Sequence, residues 1–220
     1  VVKKTYKNTK KAVLLTAAIV ILALCIAYLL PATQTSEPGI SQLNVTAPVV
    51  DEAVETPVSA SQRTAHKVAP NQPRYLTIDK FDVRARVLSV GASADRTIGA
   101  PKSIHDVGWY RGSAKPGQAG VMFLDGHVSG PTQPGVFKQI GSLKNGDKIG
   151  IERGDGIKFR YVVTSVKLVP EDKVDMNSLL VSPDAYGEHL VLMTCGGSFN
   201  RAENQYEGRV IVQAKGTDTP

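Results

Sequence analysis

The segment Leu192-Met193-Thr194-Cys195-Gly196-Gly197 closes an apolar run that starts at His189, and it carries one of only two cysteines in the chain. The other, Cys25, lies in an almost unbroken apolar stretch near the N-terminus, so the pair does not read as a stapling disulfide. A lone thiol outside the cytoplasm is open to oxidation and mixed-disulfide formation, so retaining it calls for a reason in packing or in reactivity. The plain alternative is a small buried core residue, the commonest fate of a free cysteine. As a nucleophile Cys195 needs a proton carrier and a cation that stabilises negative charge.

His127 and Arg209 are the candidates for those two roles. His127 ends the apolar strand pattern Val121-Met122-Phe123-Leu124-Asp125-Gly126-His127, just before the turn residues Ser129-Gly130-Pro131. Arg209 opens Arg209-Val210-Ile211-Val212-Gln213-Ala214, a spacing from Cys195 that allows a loop and an antiparallel return beside the cysteine strand. Taken alone, each has a plain reading as a structural histidine or a surface-paired arginine. Arg201, in the polar stretch 200–205, is the rival cation, but a strand holds a side chain more firmly than a loop. Among the other histidines, His105 precedes Trp109-Tyr110, His66 falls in a polar region, and His189 suits a structural role. Asp125 shares a face with His127 on an extended strand and could orient the imidazole, although a solvated or turn-capping carboxylate is the more ordinary reading. Gly196-Gly197 either brings backbone N–H groups to a developing oxyanion or forms a plain turn.

The elements that must position these groups are strands. Runs at 75–79, 85–90, 120–124, 147–152, 157–169, 190–194 and 209–214 are rich in Val, Ile, Tyr and Leu and are separated by Gly, Asp, Asn and Pro. Helical pattern is confined to short pieces at 136–143 and 175–180. Seven or eight short strands predict an all-β domain over residues 74–220, a closed or nearly closed β-barrel with a sandwich as the other option.

Lys3, Lys4, Lys7, Lys10 and Lys11 form a basic tail (1–11) ahead of residues 12–30, which carry no formal charge and are long enough for a transmembrane helix. An uncleaved signal anchor with the lysines in the cytoplasm is the expectation, because a cleaved signal has a shorter apolar core and a small-x-small site that Leu30-Pro31-Ala32 does not supply. Residues 31–73, rich in Pro, Thr, Ser, Ala, Gln and Val, read as a flexible extracytoplasmic stalk. The tail supplies most of the net charge of +6, so the basic balance signals topology. No basic run interleaved with aromatics supports nucleic-acid binding, and no CxxC or paired histidines support zinc.

Thr194-Cys195 after Leu190-Val191-Leu192-Met193, Asp125-Gly126-His127 followed by Gly135-Val136-Phe137, and Arg209 in Arg-Val-Ile-Val-Gln-Ala together resemble the sortases, membrane-anchored cysteine transpeptidases. The resemblance covers residues 73–215 and keeps the family's order of His, Cys and Arg. Val107-Gly108-Trp109-Tyr110, Pro116-Gly117 and Cys195-Gly196-Gly197-Ser198-Phe199 look most like the class F members. It implies a closed eight-stranded barrel, Cys195 as nucleophile, His127 as proton carrier, Arg209 as electrostatic stabiliser, and Thr194 and Gly196 beside the substrate. It also implies cleavage of an LPxTG-like (Leu-Pro-x-Thr-Gly) signal on surface proteins between Thr and Gly, with transfer to a peptidoglycan-precursor or pilin amine. No cofactor is implied. Glu171, Asp172 and Asp175 are similar to calcium-binding loops of some sortases, but solvated surface charge is the favoured reading. A non-catalytic peptide-binding barrel and a thiol hydrolase of wall peptides are the competing functions.

Overall fold

The computed structural model describes residues 44–45, 53–93 and 97–217. The basic tail and the apolar segment 12–30 lie outside them, and no described helix is long and apolar enough to cross a membrane. Ten strands are described: β1 (Asn44–Val45), β2 (Pro73–Ile78), β3 (Val83–Val90), β4 (Thr97–Ile98), β5 (Val107–Tyr110), β6 (Gly120–Gly126), β7 (Lys148–Arg153), β8 (Lys158–Pro170), β9 (Glu188–Asn200) and β10 (Gln205–Gly216). β1 and β4 pair in parallel as a small separate sheet. The other eight close into a barrel in the order β10-β8-β7-β2-β3-β5-β6-β9. All neighbours are antiparallel except β3 with β5 and β6 with β9.

Two apolar layers explain the unbroken hydrophobic stretches at 121–124 in β6 and 190–193 in β9. Met122, Leu124, Leu190 and Leu192 point into the barrel with Trp109 and Tyr161. Their odd-numbered neighbours Val121, Phe123, Val191 and Met193 form a second cluster on the outer face with Ile211 and Met176. Met176 comes from the short helix α2 (Met176–Leu180), so these strands are buried on both sides as parallel-paired strands usually are. An order of about 1.5–3 kcal/mol per fully buried apolar side chain makes this doubly covered region the stiffest platform available for a site.

Three expectations change. Residues 136–143 form no α-helix: successive i to i+3 hydrogen bonds run from Gly135 to Leu143 and end in a 3₁₀ turn at Ile140–Ser142. Phe137, Ile140 and Leu143, three residues apart, are all buried, and a three-residue turn puts them on one side. β5 is a strand that its glycine and brevity concealed. Residues 53–72 of the expected stalk are held against the barrel: Val54 bridges to Ser103, and α1 (Ala60–Ala65) begins at a reciprocal Ser59–Gln62 capping box. The Tyr75 hydroxyl donates to Arg63 O, and His66 Nε2 donates to Val87 O at 3.1 Å.

Candidate active site

Two paired strands set the thiol beside the guanidinium, and the imidazole directly follows the strand on the other side of β9. Cys195 on β9 is paired directly with Arg209 on β10. On its other side β9 runs parallel to β6 in a constant register from Gly120↔Glu188 to Asp125↔Met193. His127 directly follows the last residue of β6, two positions beyond the final β6–β9 pair, and carried on in the same register it would stand opposite Cys195. Adjacent strands lie about 4.8 Å apart, and residues opposite one another project to the same face. The face is the outer one, continuous with Phe123, Met193 and Ile211. The buried Thr194 hydroxyl donates to Gly126 O at 2.6 Å and ties β9 to β6 at the base of the row.

His127 is buried, and its Nε2–H donates to the Pro101 carbonyl at 2.7 Å. That bond leaves Nδ1 as the nitrogen with a free lone pair. Burial holds the imidazole below its usual pKa, which favours the neutral ring. The Cys195 thiol is pushed up to about 11, first by burial and then by the carboxyl groups of Asp125 and Glu171, with Arg209 pulling the other way. Both directions point to a neutral thiol beside a neutral imidazole at rest, so the thiolate forms only when a base takes the proton during attack.

Arg209 is 2% exposed, a burial that its ion pair with Glu171 helps to offset. Its Nη1 donates to Gly208 O at 3.0 Å and its Nη2 to a Glu171 carboxylate oxygen. Glu171 starts the 3₁₀ turn Glu171–Lys173 that leaves β8, so the chain that runs on to α2 also anchors the guanidinium. The acidic stretch is otherwise engaged: Asp172 pairs with Lys173 at 2.9 Å, and Asp175 caps α2 through Asn177 and Ser178 N–H. Among the described residues no group of three or more His, Cys, Asp or Glu side chains is placed to hold a metal ion.

The remaining candidates separate from the row. Arg201 lies exposed in the turn joining β9 to β10. His105 donates from Nε2 to Glu55 O at 3.0 Å, and His189 pairs with Asp184 at 3.2 Å. Thr194 and Gly196 face away from the Cys195 side of the sheet: strand alternation turns Thr194 onto Gly126 and the open face of Gly196 against Val210 and Leu168. Gly196-Gly197 is no turn, since β9 continues through it to Asn200. Asp125 is neither solvated nor a turn cap. It is 6% exposed, and burial pushes its carboxyl up to about 7 against the pull of the Gly126 N–H and Arg209.

Sequence reasoning missed Pro101, Glu55 and the link between Ser129, in the loop after His127, and Tyr206 on β10, whose hydroxyls meet at 3.0 Å. Pro101 acts through its backbone and leaves no side-chain signal. Glu55 stands in a stretch whose composition reads as linker.

Residues 76–217 match the family model described as a sortase domain. No curated protein matches the chain. Sortase A from Corynebacterium diphtheriae is similar in fold, with a TM-score of 0.54 at 19% identity, covering 83% of this chain and 78% of that one. Sortase C-1 from Actinomyces oris has a TM-score of 0.51 at 21% identity, covering 79% and 90%. A lid mutant of Streptococcus agalactiae sortase C1 has 0.52 at 19%, covering 74% and 77%. The family match spans well over half of the sequence and encloses every strand of the row, and by it the chain belongs to the sortase family.

Proposed function

We propose that this sortase-family chain is a membrane-anchored cysteine transpeptidase that cuts an LPxTG-like signal between Thr and Gly and passes the acyl group to an amine. The observation that carries the reading is the direct β9–β10 pairing of Cys195 with Arg209, on the strand whose other neighbour leads into His127. His127 Nδ1 takes the thiol proton as Cys195 Sγ attacks the Thr carbonyl carbon. The oxyanion that forms is met by Arg209, a contribution on the order of 3–4 kcal/mol where water is excluded. The C–N bond then breaks, the imidazolium returns its proton to the leaving glycine amine, and a thioester remains on Cys195. An incoming amine attacks the thioester carbonyl, loses its proton to His127, and the collapsing intermediate expels the Cys195 sulfur, which recovers that proton.

The segments 107–110, 116–117 and 195–199 support placement in class F, and the apolar stretch 12–30 supports a single membrane anchor with the barrel outside. The natural substrates on this reading are LPxTG-type surface proteins, with a peptidoglycan precursor or a pilin lysine as acceptor. The test is to incubate the full-length chain with an LPxTG-type peptide, with and without a glycine-based amine, and to identify the products by mass. Peptide joined to the amine supports transpeptidation. Release of the free acid alone, with amine present, makes the protein a hydrolase, and binding without any cleavage makes it a peptide-binding barrel.

A further inference from the structure

We infer that Glu55, together with the strand-like segment around it, is a positioning residue for His127. This rests on the reading of His127 as the proton carrier. The segment grips the histidine's surroundings from two sides. On one side Val54 pairs in parallel with Ser103: Val54 N–H donates to Lys102 O at 2.7 Å, and Ile104 N–H donates to Val54 O at 3.0 Å. That pairing fixes residues 102–104, which directly follow Pro101, the residue whose carbonyl receives the His127 Nε2–H. His105 adds a bond from Nε2 to Glu55 O at 3.0 Å.

On the other side the Glu55 carboxylate accepts from Thr132 N–H at 2.7 Å, Thr132 O–H at 2.5 Å and Gln133 N–H at 2.8 Å. These donors sit at the tip of the loop that leaves His127. The loop closes on itself through Gly130 N–H to Gln133 O and Gly135 N–H to Val128 O, and Phe137 N–H donates to His127 O at its base. The carboxylate packs so closely over Gly130 that a Cβ there would lie 2.4 Å from its oxygen. One carboxylate therefore sets the tip of the loop, the strand beside it sets the ring's acceptor, and the two meet at the same imidazole. A proton carrier must keep the correct nitrogen toward the thiol, and a wandering Pro101 carbonyl or loop base would release the tautomer. The three bonds also hold the Glu55 carboxyl below the usual carboxylate range, so the grip persists at neutral pH.

The titratable and charged groups that share the row with His127 are Asp125 on β6, Cys195 on β9, Arg209 on β10 and Glu171 beside Arg209. None of these is bonded to Glu55, whereas His105, whose ring donates to Glu55 O, is the other histidine that a change there touches. The experiment therefore uses the full-length chain with nitrogen-15-labelled histidine, in wild type, Glu55→Ala, Glu55→Gln and Thr132→Val. Ring shifts are assigned by His127→Gln. The expected result is a single Nε2–H tautomer for His127 in wild type. In Glu55→Ala a tautomer mixture appears, His127 titrates closer to its ordinary value, and kcat for the peptide falls about tenfold with KM within about twofold. Glu55→Gln, which retains one acceptor, and Thr132→Val, which retains both N–H bonds, fall in between. His127 ring shifts and titration unchanged in Glu55→Ala would overturn the inference, whatever the melting temperature does. Should Glu55→Ala not fold, wild-type-like His127 shifts in both milder variants overturn it equally. If the wild type turns over no peptide but His127 still responds to Glu55, the positioning stands and the transpeptidase reading alone falls.

Discussion

Replacing Asp125 with Asn removes a buried carboxyl from the face that carries Cys195, and its effect on stability should depend on pH in a defined way. The carboxyl is 6% exposed on β6 and is pushed up to about 7 from an ordinary 3.8, chiefly by burial. Between those values the native state keeps a proton that the unfolded chain has released, so rising pH favours unfolding. The stability this proton confers is fully present below about pH 4, is lost as pH climbs to about 7, and stays lost above it. A rise from 3.8 to about 7 corresponds to about 4 kcal/mol, and relaxation around a buried charge brings the measurable change to about 2–4 kcal/mol. Asn cannot ionise, so its stability lacks this slope. Urea unfolding of both proteins from about pH 4 to about pH 8 should show the variant gaining on wild type by that amount as pH rises. Taking the difference cancels the surface carboxylates whose pKa values are lowered, Asp147 and Asp155 among them. A difference that does not vary with pH would mean that Asp125 is ionised in the folded protein, and the electrostatic account of the row would be wrong.

Glu171→Gln removes one of the groups that raise the Cys195 thiol. With the thiol lowered, iodoacetamide alkylation near pH 8 should quicken about threefold, the gain in thiolate being partly offset by its lower nucleophilicity. Gly135→Ala would place a Cβ 2.3 Å from the His127 carbonyl oxygen, so peptide cleavage should fall more than tenfold with a stability loss of about 1–3 kcal/mol by urea unfolding. Thr194→Val keeps the shape and deletes the hydroxyl that donates to Gly126 O, for a loss of about 1–2 kcal/mol by the same assay. Arg209→Lys loses the planar fork that Glu171 and Gly208 hold in place, and kcat should drop about 10²–10³-fold without recovery.

The barrel was legible because seven of its eight strands announce themselves as β-branched and aromatic runs, and because β6 and β9, covered on both faces, carry unbroken hydrophobic stretches at 121–124 and 190–193. The ends of β9 and β10 were not, since Gly196-Gly197-Ser198 offers no apolar side chains to alternate and the hairpin is held there by backbone pairing. Cys195, His127 and Arg209 could be read as a set only through family resemblance. Their proximity depends on one parallel and one antiparallel register between distant segments, which no local pattern encodes. The burial of Asp125 is a tertiary effect that no local pattern signals. The segment at 53–72 misled by composition: apart from alanine and proline its only apolar residues are Val54, Val58 and Val68. The Ser59-x-x-Gln62 capping box was nonetheless a local helix signal in plain view.

The most direct measurement is the intact mass of the full-length chain after brief exposure to an LPxTG-type peptide without amine. The account predicts a mass gain equal to the acyl fragment ending in Thr, mapped to Cys195, absent in Cys195→Ala and strongly reduced in His127→Ala and Arg209→Ala. Peptide cleavage that persists undiminished in Cys195→Ala, or an adduct on another residue, would contradict it.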